Sequence, residues 1–195
     1  MELDQAAVDA WMSANTLAEL GELTARWLEG SLRVHARDIP NGETTELIPA
    51  LARFNRAGFK TEASQPGEDI DDGWAQRAFV FGFCDEQTAE TIAAACMPTD
   101  LICVFCWPGT KSYLHIPVTL HDDGKAHTWA GMSLGAEDIN GMWGDLYSAS
   151  AVDALVGAYQ VSVIDPIWGR NDLLWATVDR ALAGPPLTGA LPSTD

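Results

Sequence analysis

Basic residues are scarce in this sequence. Lysine and arginine together number 11 against 28 aspartates and glutamates, which gives a net charge of −17 at neutral pH. A chain this acidic is repelled by nucleic-acid backbones and anionic membranes, so neither is expected as a partner. Solubility alone would explain the charge, although a basic protein partner or mimicry of nucleic acid also fits it. The acids are spread along the chain, apart from a dense run over residues 62–72.

Long apolar runs and secretion signals are also missing. No run approaches the roughly 20 apolar residues of a membrane-spanning helix. The first residues, Met-Glu-Leu-Asp-Gln, lack the positive and apolar regions of a signal peptide, so a cytoplasmic location is expected. The few cysteines lie in or beside apolar runs, which indicates reduced, buried thiols rather than a disulfide framework. They are Cys84, Cys96, Cys103 and Cys106.

Motifs of familiar catalytic and cofactor sites are absent as well. The sequence has no phosphate-binding glycine-rich loop, no Gly-x-Ser-x-Gly elbow and no zinc-ligand spacing. His115 and His121 are expected on one face of a hairpin but about 20 Å apart, with His127 on the other face. Cys84 precedes a predicted helix, which can activate a thiol, but it is more simply a small core residue. No metal, cofactor or reaction is therefore assigned.

The first part of the chain, residues 1–43, is predicted to be helical. Residues 4–13 indicate a short helix with Val8, Trp11 and Met12 as its apolar stripe. A cap signal at Asn15-Thr16 precedes a second helix over residues 17–29, where leucines and Trp27 repeat at three- and four-residue steps. Both helices therefore have one face to bury.

A third helix precedes the strand and turn over residues 59–67, which contain the first candidate ligand segment. It is predicted to begin at Thr44 or Thr45, to carry Pro49 near its first turn and to end at Gly58, which accepts a positive φ. A short strand over residues 59–64 follows it. Gln65-Pro66-Gly67 then turns the chain, and a solvated acidic loop is expected up to Asp72.

The fold class predicted from the remaining pattern is mixed α/β. Residues 78–83 and 101–107 are apolar on both faces, as in the middle of a covered sheet, and residues 85–96 between them read as a helix capped by Asp85. Strand, helix and strand form a crossover unit with parallel strands. We therefore expect a central, mostly parallel sheet flanked by helices, within a single domain over residues 1–183 that precedes a disordered tail over residues 184–195.

An antiparallel hairpin is expected at one edge of that sheet. Asp123-Gly124 is a two-residue type I′ turn signal, and this register places Asp122 opposite Lys125, Leu120 opposite His127 and Val118 opposite Trp129. Pro117 lacks the N–H group that a central strand needs, which favours an edge position. A helix over residues 150–158, a strand over 160–164 and a helix over 171–182 complete the assignment, with residues 136–147 unassigned.

Two polar segments are the candidates for a ligand site. The first comprises Thr61, Ser64, Gln65 and Gly67, where glycine lets a ligand approach the backbone and the glutamine amide can both donate and accept. The alternative is ordinary turn chemistry. Loops positioned by a rigid scaffold often carry function, which favours testing this segment.

The second candidate segment comprises Asp165, Trp168 and Arg170, at the handover from a strand to a helix. Arg170 could hold a phosphate or carboxylate there, and Trp168 could stack on a base. The alternative is that Arg170 pairs with Asp165 and that Trp168 belongs to the core. Arg77, at the start of a buried strand, could also serve an anion, but an exposed structural role is expected first.

The two segments make one site only if they meet in space. No helix is predicted between Ser64 and Ala75, so the strands on either side could be antiparallel neighbours. In that case the turn and Asp85 lie at opposite ends of the sheet, and the site requires residues 165–170 on the side of the turn.

Three stretches of the chain resemble an uncharacterised protein family of actinobacteria and their phages. They are residues 16–30, the motif Leu-x-x-Phe-Asn-Arg-Ala-Gly-Phe-x-Thr-x-x-Ser-Gln-Pro-Gly at 51–67, and Asp-Pro-x-Trp-Gly-Arg at 165–170. The resemblance implies no reaction. A second likeness is to small proteins with a Thr-x-x-Ser-Cys-x-Gly turn, some of which handle nucleotides or RNA bases. Here Gln65-Pro66 replaces the cysteine region, so no thiol role is carried over.

Two functional hypotheses follow. The first is a binding domain for a small, nucleotide-like anion, with both segments around the ligand and no reaction assigned. The second is an acidic protein-interaction module, for example a phage effector that occupies a basic groove of its partner.

Overall fold

A computed structural model describes residues 3–34, 38–71, 74–121 and 123–184. Within them the chain forms seven α-helices: α1 Gln5–Ser13, α2 Leu17–Leu28, α3 Ile48–Arg56, α4 Glu86–Cys96, α5 Ala136–Trp143, α6 Ala149–Val156 and α7 Leu173–Ala183. The strands are β1 Lys60–Gln65, β2 Glu68–Asp71, β3 Trp74–Gln76, β4 Phe79–Cys84, β5 Ile102–Cys106, β6 Ile116–Leu120, β7 Ala126–Ala130 and β8 Tyr159–Ile164. The predicted tail lies outside the described residues, except for Gly184.

The main sheet has the order β1-β4-β8-β5, and all of its neighbouring strands are antiparallel. The prediction of a mostly parallel central sheet was therefore wrong. Strand β8 lies between β4 and β5 and runs antiparallel to both, so those two strands share a direction but never pair. Strand β4 is largely buried, whereas β5 is an edge strand of half-buried residues with Phe105 exposed, so the expected central position of residues 101–107 was wrong as well. A continuous apolar sequence determined neither the strand position nor its direction.

The small sheet has the order β2-β3-β6-β7 and is also antiparallel. Strand β2 occupies part of the segment that was predicted to be a solvated loop. Strand β6 is an inner strand, so the predicted edge position of Pro117 was wrong. Strand β3 pairs only with Thr119 and Leu120, and Pro117 lies beyond this pairing, where its missing N–H group disturbs no ladder bond to β3.

The hairpin of β6 and β7 has a different register from the prediction. Gly124 N donates to His121 O and His121 N donates to Lys125 O, both at 2.8 Å, so the loop is one residue longer than a two-residue turn. Pro117 consequently faces Trp129, and the rings of His121 and His127 lie 5.0 Å apart instead of on opposite faces. The predicted pairing of Asp122 lies outside the described residues.

Several local predictions are confirmed. Thr16 and Glu19 form a capping box on α2, and the Asp85 carboxylate accepts from Thr88 N at 2.7 Å to cap α4. Gly58, with φ of +94°, follows the end of α3. The predicted start of this helix at Thr44 or Thr45 was wrong, since Gly42–Leu47 is a 3-10 helix and α3 begins at Ile48. Pro49 in the first turn of α3 has no N–H group to continue an α-helical ladder backwards.

Helices cover both faces of the main sheet. Helices α3, α4 and α7 contribute to a core that includes Phe54, Phe59 and Ile92. On the opposite face, α2, α5 and α6 pack around Phe83 with Leu20 and Ile139. The small sheet contacts the main sheet through Val118, Ala130 and Ile164. Strand β1, at the edge of the main sheet, therefore lies between both helical layers and reaches towards the small sheet.

Candidate ligand-binding site

The two polar segments singled out in the sequence lie against each other. Gly67 N donates to the Oδ1 atom of Asn171 at 2.9 Å, across 104 positions of sequence. A Cβ atom on Gly67 would lie only 2.3 Å from the Arg170 carbonyl oxygen, so glycine is required for this approach. Asn171 Oδ1 also accepts from Trp175 Nε1 at 2.9 Å, which links the turn to α7. We call this contact of residues 64–67 with 165–171 the junction.

The charged groups Asp165 and Arg170 of the junction form hydrogen bonds and ion pairs within the protein. The Asp165 side chain is fully buried, with Oδ1 accepting from Ile167 N at 2.9 Å and Oδ2 accepting from Arg170 Nε at 2.7 Å. Arg170 also donates to Asp100 Oδ1 at 2.6 Å. These hydrogen bonds with Asp165 and Asp100 raise the pKa of Arg170, and its guanidinium lowers the pKa of Asp100. Arg170 is a structural clamp between the end of β8 and the loop before β5.

The polar side chains of the turn are also occupied. The Gln65 amide nitrogen donates to Arg77 O at 2.9 Å and to Val118 O at 2.8 Å, and its oxygen accepts from the Thr119 hydroxyl at 3.2 Å. Gln65 thereby joins the main sheet to the small sheet. Ser64 is half-buried in the same strand.

Arg77 and Trp168 form the remaining part of the junction. The Arg77 guanidinium lies 4.2 Å from the centre of the Trp168 ring and donates to Pro117 O at 2.9 Å. Burial lowers the pKa of Arg77, and its buried Nε has no acceptor among the described residues. The half-buried indole is thus stacked on a cation of its own chain instead of belonging to the core, whereas Arg170 does pair with Asp165 as the structural alternative expected.

Thr61 does not join the other six predicted site residues. It pairs with Gly82, whereas Gln65 pairs with Phe79, so Thr61 lies roughly 13 Å away along β1. Thr61 N donates to Asn55 Oδ1 at 3.0 Å, and Asn55 Nδ2 donates to the Thr61 hydroxyl at 2.6 Å and to Leu51 O at 2.8 Å. Thr61 lines a cavity at the opposite end of the strand.

This cavity has a volume of about 400 Å³ and lies between α1, α2, β1 and the connection from α5 to α6. We call it the α1–α2 cavity. Apolar and aromatic side chains form much of its wall, namely Val8, Trp11, Met12, Trp27, Val34, Leu146 and Tyr147. Its polar lining comprises Thr24, Asp38, Lys60, Thr61, Glu62 and Asp145.

A bulge in β1 presents to the cavity an ion pair with a buried ammonium and a partly exposed carboxylate. Thr61 pairs with Gly82 and Ala63 with Phe81, so Glu62 is an extra residue that the pairing skips. The Lys60 ammonium pairs with the Glu62 carboxylate and lies 5.8 Å from the centre of the Trp143 ring. The side chain of Lys60 is only 4% exposed, against 26% for Glu62. A buried ammonium needs such a partner, since an isolated charge in this position would be very costly.

Three aromatic residues line the cavity above this pair. Trp11 and Tyr147 stack with ring centres 5.5 Å apart, and burial raises the pKa of the Tyr147 hydroxyl. Trp27 Nε1 donates to Asp38 Oδ1 at 3.0 Å, and Asp38 Oδ2 accepts from Val34 N at 3.3 Å. The indole of Trp27 is therefore held in one orientation by a carboxylate.

The electrostatic balance of the cavity is negative. Its lining contains one ammonium, that of Lys60, and three carboxylates, those of Asp38, Glu62 and Asp145. Only Glu62 forms a salt bridge with a described lysine or arginine; Asp38 and Asp145 form none within the described part of the chain. The cavity thus combines aromatic walls with two carboxylates that no described cation neutralises.

The sequence offered little signal for this cavity. Trp11 and Trp27 were assigned to ordinary apolar stripes, and Asp145 and Tyr147 fell in the unassigned segment. One usable signal was Lys60, a lysine directly after the fully buried Phe59 at the start of a strand. A charge in that position predicts either a buried pair or a site.

The thiol and metal candidates receive no support as functional groups. All four cysteines are free, with Cys84 and Cys96 buried and the other two half-buried. Burial raises the pKa of Cys84 to about 12, which leaves the thiol protonated and unreactive at neutral pH. The described residues contain no cluster of three or more His, Cys, Asp or Glu side chains with metal-binding geometry.

The chain belongs to a protein family described as a domain of unknown function (DUF6919), whose family model matches residues 6–185. The resemblance to an uncharacterised family is thereby confirmed. No curated protein matches the chain. Among the helices that the structure describes, none has the length and apolar character needed to cross a membrane.

Proposed function

We propose that this protein is a small-molecule-binding domain whose ligand occupies the α1–α2 cavity. The observation that carries this proposal is the cavity itself, about 400 Å³ in volume, with aromatic walls and the Lys60–Glu62 ion pair in its lining. Ligand sites are typically concave, largely apolar and equipped with a few fixed polar groups, with volumes of roughly 300–1,000 Å³.

The junction is a weaker place for the ligand than the sequence suggested. An anion bound by Arg170 would compete with the hydrogen bonds to Asp165 and Asp100, and a ligand of Gln65 would compete with its three protein partners. Breaking such bonds leaves buried groups unpaired, at a cost of about 1–3 kcal/mol each. In the cavity, the Asp38 carboxylate can accept further hydrogen bonds beside those from Trp27 and Val34, so a ligand can bind it without breaking them.

The nucleotide-like anion predicted from the sequence fits the cavity only in part. A base could stack on its aromatic walls, but phosphate groups would meet three carboxylates and a single ammonium. We propose binding and assign no reaction. Occurrence of the family in actinobacteria and their phages also remains a prediction of the sequence resemblance.

A protein-interaction role is the second candidate, supported by the net charge of −17. An acidic module of this kind binds a basic partner through long-range attraction, so its affinity would fall steeply with salt. Affinity for a ligand in the α1–α2 cavity would depend on salt much less.

The experiment that tests the proposal blocks the cavity. The neutral fluorescent probe N-phenyl-1-naphthylamine and a panel of nucleosides, nucleotides, aromatic amines and aromatic acids would be titrated against the protein, with fluorescence and thermal shift as readouts. Val8→Trp places a large ring in the cavity wall and is expected to abolish probe binding, since occupied volume excludes the ligand.

The matched control is Met97→Trp, at a residue that is 84% exposed near the end of α4 on the opposite face of the sheet. It adds the same ring without touching the cavity and should bind the probe normally. If neither the probe nor any member of the panel binds the unmodified protein, or if Val8→Trp binds as well as Met97→Trp, the proposal is wrong.

A further inference from the structure

We infer that the α1–α2 cavity selects an organic cation, a quaternary or alkylated ammonium attached to a small apolar or aromatic body. This inference rests on the proposed function, because it names the ligand class of the same cavity.

The first support is the aromatic wall. Trp11, Trp27 and Tyr147 all line the cavity, and the rings of Trp11 and Tyr147 stack on each other with their centres 5.5 Å apart. The faces of such rings carry negative electrostatic potential, and tryptophan is the strongest of the aromatic residues in attracting a cation. A neutral hydrocarbon gains contact area from these rings, whereas an ammonium gains contact area and electrostatic attraction.

The second support is the position of Asp38. Its carboxylate accepts a hydrogen bond from Trp27 Nε1 at 3.0 Å, which adds negative charge at the edge of the indole. Asp38 is partly buried and forms no salt bridge with a described lysine or arginine, and the same holds for the exposed Asp145. A cation in the cavity would supply a positive charge that no described lysine or arginine gives these carboxylates.

The third support is that the cavity already holds one ammonium. The Lys60 side chain, 4% exposed, pairs with Glu62 and lies 5.8 Å from the centre of the Trp143 ring. Carboxylate and aromatic groups thus stabilise a buried ammonium at the base of the same cavity. The arrangement also neutralises Glu62, so the remaining attraction for a ligand cation comes from Asp38 and Asp145.

The opposite ligand charge is disfavoured by the same groups. A carboxylate or phosphate would have to draw Lys60 away from Glu62 while approaching two further carboxylates. The structure therefore favours a cation over an anion, and an ammonium with methyl or alkyl substituents over a strongly hydrated primary amine, because its apolar surface suits the aromatic wall.

The test uses three probes with one skeleton and three charges. They are (3-hydroxyphenyl)trimethylammonium, 3-tert-butylphenol and 3-tert-butylbenzoate, titrated by calorimetry and by displacement of N-phenyl-1-naphthylamine. The cation is expected to bind at least tenfold more tightly than the neutral phenol, since the cation–aromatic attraction and the charge of the Asp38 carboxylate, which no described lysine or arginine neutralises, act on the cation alone. The benzoate is expected to bind most weakly.

The variants separate charge from shape. Asp38→Asn keeps the hydrogen-bond acceptor for Trp27 and removes the charge, and Trp11→Leu keeps an apolar side chain and removes the ring. Each should weaken the cation several-fold. Asp38→Asn should leave the neutral phenol unchanged, and Trp11→Leu should weaken the phenol less than the cation, because the phenol loses contact area alone. Asp145→Asn serves the same purpose at an exposed position if Asp38→Asn fails to fold. Glu90→Gln, an exposed charge on α4 across the sheet, is the matched control and should change none of the three affinities.

The outcomes distinguish this inference from the proposed function. Equal or tighter binding of the phenol or the benzoate would overturn the cation inference, and so would binding of N-phenyl-1-naphthylamine alone; in both cases the cavity still binds small molecules. Failure of every probe, including N-phenyl-1-naphthylamine, would overturn the inference together with the proposed function.

Discussion

The junction and the α1–α2 cavity lie at the two ends of β1, and they differ in what their polar groups do. In the junction, Arg170 donates to two carboxylates, and Gln65 bonds to three groups of its own chain. In the cavity, Lys60 has one carboxylate partner, while Asp38 and Asp145 have no salt bridge with a described cation. The more conspicuous sequence motif thus belongs to the region where Arg170 and Gln65 already bond to several groups of the protein.

This difference has a physical explanation. A close backbone approach, such as that of Gly67 to Arg170, and a buried carboxylate, such as Asp165, each demand particular residue types. Such demands produce recognisable motifs whether or not a ligand binds. A cavity wall only requires side chains of suitable size, drawn from several elements, so it leaves a faint pattern in the sequence.

The largest expected effect is a loss of stability at the junction, which would show that Arg170 has a structural role there. Arg170→Ala leaves the fully buried Asp165 carboxylate without its cation and should lower the free energy of unfolding by about 3 kcal/mol. The second substitution in Asp165→Asn/Arg170→Ala removes the stranded charge and should recover at least half of that loss. Urea unfolding measures both values.

A second arginine provides the control for this prediction. Arg53 pairs with Asp179, but both side chains are substantially exposed, at 57% and 41%. Arg53→Ala should therefore cost less than about 1 kcal/mol. If Arg170→Ala lost ligand affinity while keeping full stability, the junction and not the cavity would be the ligand site.

A loss of stability of intermediate size is expected at alkaline pH. Burial raises the pKa of Cys84 to about 12, from an ordinary value of 9.0, and also raises the pKa of Tyr147 in the cavity wall. Since the unfolded chain then loses these protons first, the associated stability is complete below about pH 9 and declines as pH rises towards 12. The free energy of unfolding then falls by up to about 1.4 kcal/mol per pH unit for each group.

Urea unfolding from about pH 8 to about pH 11 measures this decline. Cys84→Ala should flatten it from pH 9 upward, and Tyr147→Phe should flatten it only above about pH 10, where an ordinary tyrosine begins to ionise. A Tyr147 that titrates at its ordinary pKa would show that water reaches its hydroxyl freely, and the aromatic wall would then be less enclosed than the structure indicates.

The smallest expected effect on stability lies at the cavity mouth. Leu146 is 57% exposed, so Leu146→Ala should change the free energy of unfolding by no more than about 0.5 kcal/mol. It also removes apolar surface from the cavity wall and should weaken binding of N-phenyl-1-naphthylamine a few-fold. Ile167→Ala, at a comparably exposed residue next to the junction, should leave both quantities unchanged. Equal effects of the two variants on probe affinity would remove the distinction between the regions.

The local part of the fold could be read from the sequence with good accuracy. The capping residues Thr16 and Asp85 and the helix-terminating Gly58 act on their immediate neighbours, so short-range chemistry was enough to place them. The two segments of the junction could be proposed as one unit, but their contact depended on the antiparallel pairing of β1 with β4.

The errors in strand direction and in hairpin register share one cause: both depend on packing between residues that are distant in sequence. The apolar sequences of β4 and β5 predicted central strands of a parallel unit, but β8 lies between them, β5 forms the edge of the sheet, and an apolar sequence is compatible with either strand direction. In the hairpin, one extra loop residue changed the register and brought His121 and His127 together. Turn preference alone could not decide this, because cross-strand packing also determines the register.

By itself, then, the sequence determined the helix caps at Thr16 and Asp85, the strands β4 and β8 and the residues that must approach closely at the junction, since these depend on neighbours in the chain. Tertiary structure alone decided the strand order and the composition of the α1–α2 cavity. Trp11, Trp27, Lys60 and Tyr147 come from separate elements, and their shared space exists only because both helical layers pack on the main sheet. Non-local burial of this kind produces no period or spacing in the sequence from which it could be predicted.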